Sequence, residues 1–127
     1  MVKKPVKIPL KDIHPTEFLL PKDTMEDIAS HYDGTPESIK SIMVIGKPGE
    51  YYPENGNKRC AFLDGKDSDY ILGFIEDAED FPDDFEDYRR LARQAEEHDV
   101  NTLEDLRKQT ISREEYDKFM KERDKNR

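Results

Sequence analysis

The sequence predicts an α+β domain: a small mixed sheet of about four strands, flanked by helices and followed by a C-terminal helical extension. Three observations carry that expectation. Strand-like runs begin at Val6, Ile42, Glu50 and Tyr70, with helix signals between them. From Glu76 onward the composition turns acidic, and apolar residues recur at helical spacing. With 127 residues, 34% of them hydrophobic and 40% charged, the chain can build one modest core and not two. The expected organisation is a core over residues 1–78 and an acidic helical extension over 79–127, packed on it as one domain.

The elements follow in order. Met1 to Lys4 is basic and expected to fray. Val6, Ile8 and Leu10 alternate with Lys7, Pro9 and Lys11, the pattern of a strand with one buried face, and Pro9 favours an edge position. A helix is expected after Asp23 or Thr24, with Thr24 and Asp27 as a weak capping box and Met25, Ile28 and Ala29 on one face. Asp33-Gly34 ends it, and Thr35-Pro36 starts a short second helix. Ile42 to Ile45, apolar throughout and mostly β-branched, reads as a buried strand. The turn Gly46-Lys47-Pro48-Gly49 joins it to Glu50-Tyr51-Tyr52 as a hairpin, and Pro53 is expected to end that strand. Asn57 to Asp64 reads as a helix, with Gly65 as a left-handed cap. Tyr70 to Ile75 is expected as the last strand, with Gly73 marking a bulge or a close backbone approach.

Beyond it, eight of the twelve residues from Glu76 to Asp87 are acidic. They suit either a solvated loop entering a helix N-terminus or a surface for a basic partner. Phe81, Phe85, Tyr88, Leu91, Ala92 and Ala95 fall at helical spacing and predict an apolar stripe, with Phe85 packed inside the protein itself. Asn101 or Thr102 can cap a short helix carrying Leu103 and Leu106. Ser112-x-x-Glu115 is a capping box for a last helix bearing Tyr116, Phe119 and Met120, which should fray from Lys121.

The chemistry gathers at Asn55-Gly56-Asn57-Lys58-Arg59. Gly56 permits close backbone approach, and the amides of Asn57 and Lys58 would stand unpaired in the first turn of a helix. Lys58 and Arg59 add positive charge there. Together these features form a seat for a phosphate or another anion, with Arg59 pairing with its charge. The plain alternative is solvated basic residues on a short helix.

The order strand, N-G-x-K-R-x-A, helix, strand resembles the box of the superfamily of ParB N-terminal domains and sulfiredoxins, and Ile8-Pro9-Leu10 to Ile13 is similar to that superfamily's opening strand. The resemblance spans about Val6 to Asp77. It implies a ParB/sulfiredoxin-like fold, and contact between Asn55, Gly56, Asn57, Lys58, Arg59 and the phosphates of a nucleotide, with Mg2+ as a further candidate. Through free serine kinases that share the fold, it also implies a catalytic or Mg2+-holding role for Glu54; an exposed turn carboxylate is the commoner explanation. The position of the sulfiredoxin cysteine is Asn57 here, and a ParB-type DNA-reading domain is not expected within these 127 residues.

Two function classes therefore stand. One is a small ParB-like regulatory or interaction module that meets a protein partner through its acidic C-terminal helices. The other is a nucleotide-dependent enzyme: an NTPase, a kinase-like protein or a nuclease. A net charge of −9 argues against strong direct DNA binding. The expected location is cytoplasmic, since no apolar run approaches a membrane span and the start lacks a signal-peptide core. Cys60 reads as a structural thiol. His14, His31 and His98 lack ligand spacing, so no metal site is expected.

Overall fold

The computed structural model describes residues 4–125. The fraying expected of residues 1–3 and 126–127 lies outside the described residues. The domain is α+β. Its main sheet has the order β1-β5-β3-β4, from β1 (Val6–Pro9), β3 (Ile42–Lys47), β4 (Glu50–Asn55) and β5 (Tyr70–Asp77). A two-residue strand β2 (Leu20–Pro21) precedes α1 (Lys22–His31), and α2 (Asn57–Asp64) lies between β4 and β5. The C-terminal part holds α3 (Pro82–Glu97), α4 (Leu103–Arg107), β6 (Thr110–Ile111) and α5 (Arg113–Lys125).

β3 is central, parallel to β5 and antiparallel to β4. Both of its faces are covered, which is why its sequence runs apolar without alternation. Ile42 and Val44 join Ile8, Ile71, Cys60 and Leu63 in the principal cluster. Ile45 meets Tyr52, Phe85 and Ala92 in another. Helices α1 and α2 thus cover one face and α3 part of the other. β1 is an edge strand, antiparallel to β5 with Ile8 opposite Ile71, so Pro9 interrupts no ladder on its outer side. Gly73 marks a close approach: a Cβ there would lie 2.7 Å from the Ile42 carbonyl oxygen and 2.9 Å from Ile8 Cδ1.

The C-terminal part is woven into this core. Leu103 belongs to the principal cluster, and Ala95, Val100 and Leu106 pack with Leu20 and Ala61. Arg107 pairs with Asp64 at 2.8 Å. Phe85 is buried against Tyr52, with ring centroids 5.6 Å apart, and the Arg89 guanidinium lies over its outer side while bonding Glu50. Glu50 accepts from both Tyr52 and Arg89. Burial alone would raise its pKa, but those two hydrogen bonds hold it below the ordinary value.

Several local expectations are corrected by partners distant in sequence. β4 continues through Pro53 to Asn55, because an edge strand tolerates a missing donor. α1 begins at Lys22, without a side-chain cap; Thr24 and Asp23 instead bind Arg113 from α5. Ala29 is exposed, and Tyr32 takes the inward place against Phe62. Gly65 is right-handed at φ −67°, and its missing Cβ makes room for Arg107, whose Cδ would sit 2.8 Å away. β5 is not the last strand: it extends to Asp77, and β6 pairs in parallel with β2. Phe81 leaves the apolar stripe and is 41% exposed. α5 remains helical from Lys121 through Lys125. The Thr102 cap is present as a capping box with Asp105. Among the described residues, no helix is long and apolar enough to cross a membrane.

Candidate functional site

The β4–α2 turn forms where the sequence places it. Gly56 has φ 95°, and a Cβ there would fall 2.3 Å from Ile42 Cγ2, so both conformation and space require glycine. Each polar side chain around it has an internal partner. Asn55 Oδ1 accepts the Met43 amide at 2.9 Å, beside a register shift between β3 and β4. The side chain thereby stands in for a missing ladder acceptor.

Asn57 is the buried polar side chain of the described core, 3% exposed. Its Oδ1 accepts the Thr16 amide and its Nδ2 donates to Thr16 Oγ1, both at 2.9 Å, while the Thr16 hydroxyl donates to the Pro53 carbonyl. This clamp ties the loop before β2 to the start of α2. Lys58 pairs with Glu17 at 3.3 Å. Arg59 donates from one guanidinium nitrogen to the carbonyls of Lys40 and Ser41, at 3.1 and 2.9 Å, and burial lowers its pKa. The amides of Asn57, Lys58 and Arg59 have no acceptor among the described residues, as the first turn of a helix leaves them.

The predicted residues do not converge on one space. Glu54 and Asn57 line a cleft of about 320 Å3, lined also by Tyr88 and Leu91 of α3 and by Tyr116, Phe119 and Arg123 of α5. Arg59 lines a separate cavity of about 260 Å3 with Asp27, Ile28 and His31. An anion held by Arg59 would therefore not share a cavity with Glu54.

Electrostatics separate the two further. Burial, the adjacent Glu76 carboxyl and the charge of Asp84 push Glu54 from its ordinary 4.5 up to about 7. Burial, followed by the charges of Glu54, Asp84, Glu76 and Asp87, also raises Tyr88. Negative charge is crowded on this shoulder of the domain. Among the described residues, no three His, Cys, Asp or Glu side chains form a group that could hold a metal ion. Cys60 is fully buried, and burial pushes its thiol up to about 12, so it stays protonated and inert at neutral pH. His98 stacks on Phe18, a residue of the Glu54 cleft, with ring centroids 3.8 Å apart.

Sequence reasoning missed the contribution of α5 to the cleft and the meeting of Glu54 with Glu76. The second had no signal in the sequence, because it depends on β3 lying between β4 and β5, with Ile45 opposite both Tyr52 and Glu76. No family model matches the chain, and no curated protein matches it either.

Proposed function

We propose that this chain is a small interaction module on a ParB-like scaffold, with the N-G-x-K-R turn serving the fold and the acidic C-terminal part meeting a basic protein partner. One contrast carries this reading. The side chains of Asn55, Asn57, Lys58 and Arg59 are all engaged inside the molecule. By contrast Glu76, Asp77, Glu79, Asp80, Asp83 and Asp84 form no ion pair among the described residues. A nucleotide held by Arg59 would have to displace its carbonyl contacts, while Glu54 lies in another cleft, among carboxylates whose crowding raises its pKa. A cationic partner relieves that crowding.

Thermal unfolding with a panel of nucleoside triphosphates, with and without Mg2+, tests the reading, because a ligand of the native state raises apparent stability. No nucleotide should raise the midpoint, whereas a lysine-rich peptide should raise it at low salt and lose the effect at high salt. A nucleotide-induced rise that Arg59→Ala abolishes would replace this reading with the nucleotide-dependent enzyme.

A further inference from the structure

The large hydrophobic side chains exposed on the described surface are Val6, Ile75 and Phe81, and two of the three meet in one groove. The groove, of about 560 Å3, lies at the C-terminal end of β5, with Met43 and Phe74 in its lining. It exists because of how α3 is placed. Phe85 and Ala92 lay that helix over Ile45 and Tyr52, so Met43 and Phe74, paired across β3 and β5, remain only partly buried.

The exposure of Phe81 is built rather than incidental. The Asp77 carbonyl accepts the amides of Asp80 and Phe81, at 3.0 and 3.2 Å, and the Asp77 carboxylate accepts the Glu79 amide at 2.8 Å. The Phe81 carbonyl in turn accepts the Phe85 amide at the start of α3. A hydrogen-bonded turn thus presents a phenylalanine to solvent beside Ile75. Exposed apolar side chains held together in this way mark an interaction site.

The rim selects the occupant. Glu76, Asp77 and Asp80 line the groove, and no Lys or Arg does. A second copy would bring the same three carboxylates against themselves, in a chain of net charge −9. Nucleic acid and anionic lipid are repelled for the same reason. Resting on the interaction reading above, we propose that this groove docks a basic amphipathic segment of another protein. Its aliphatic side chains enter between Ile75 and Phe81, and its Lys or Arg groups meet Glu76, Asp77 and Asp80. The apolar contact holds the complex, and the charges steer it.

The experiment uses two synthetic peptides of equal charge, one alternating leucine and lysine and one alternating glycine and lysine. Each is titrated into isotope-labelled full-length protein by NMR. The leucine–lysine peptide should shift amides at Met43 and from Phe74 to Phe81, and the Ile75→Ser/Phe81→Ser variant should weaken it about tenfold, as loss of an apolar anchor does. The glycine–lysine peptide should bind more weakly and ignore that variant. Asp80→Lys, which removes no apolar contact, should weaken both peptides and keeps the test decisive should the serine variant unfold. Leucine–lysine binding that shifts other residues and is unchanged in these variants overturns the groove but leaves the interaction reading standing. No binding of either peptide overturns both. A dimer that forms without peptide and is lost in Phe81→Ser assigns the groove to a second copy, and so overturns the proposal.

Discussion

The chain leaves its sheet for a helix twice on the way to α3, once at Gly56 and once near Phe81, and the two turns treat their polar groups in opposite ways. At the first, Asn55, Asn57, Lys58 and Arg59 bond to Met43, Thr16, Glu17 and the carbonyls of Lys40 and Ser41. At the second, the backbone is held by the Ala78 amide on the Gly46 carbonyl and by bonds within Asp77–Phe81, no side chain there forms an ion pair among the described residues, and the Phe81 ring is exposed. The difference follows from what each helix covers. α2 is a buried crossover between β4 and β5, hemmed in by α1 and α4, so its first turn lies within reach of partners. α3 starts at the margin of the sheet. Charged and polar side chains in a motif become a binding site only where the fold leaves those side chains unsatisfied.

The contrast can be broken most forcefully at Phe85. Phe85→Ala should lower stability by about 3–4 kcal/mol, the usual cost of emptying an aromatic core site. A urea midpoint equal to wild type would mean that α3 is not anchored to the sheet as described. Asn57→Ala should cost about 2 kcal/mol, since it leaves the part-buried Thr16 amide without its acceptor and empties a buried site. The same unfolding measurement would expose a dispensable clamp, and a silent substitution would return the first turn to the list of ligand sites.

Glu54 supplies the third measurement. Its folded pKa, about 7, lies above the ordinary 4.5, so the native state binds this proton more tightly than the unfolded chain does. The group's contribution to stability is therefore fully present below about 4.5 and falls as pH rises through about 7. Glu54→Gln should flatten that fall and stabilise the protein at pH ~8 by on the order of 1 kcal/mol, a figure discounted for partial exposure. Unfolding curves on either side of neutrality check the sign; a variant less stable than wild type at the higher pH would contradict the crowding with Glu76 and Asp84. The smallest effect belongs to Phe81. Phe81→Ala should move stability by no more than about 0.5 kcal/mol, as for surface sites without special contacts. A loss as large as that of Phe85→Ala would mean that Phe81 serves the core.

The sequence by itself determined whatever depends on neighbours along the chain. The alternation around Ile8, the β-branched run from Ile42, the hairpin turn before Glu50, the glycine at 56 and the Thr102 capping box were all legible. Each is decided within a few residues by strand or helix periodicity, by φ, or by an orphan amide within reach. The tertiary structure decided which surfaces meet. Pro53 could remain in a strand only because β4 became an edge, Gly65 was needed for the side chain of Arg107, and β6 had no meaning without β2. Likewise Lys58 and Arg59 read as free cations until Glu17 and the carbonyls of Lys40 and Ser41 were brought to them, and Glu54 read as a solvated carboxylate until β3 brought Glu76 beside it. Periodicity says which face of an element is apolar, but not what lies opposite; burial and charge pairing depend on contacts between residues tens of positions apart, and these exist only once the chain has folded.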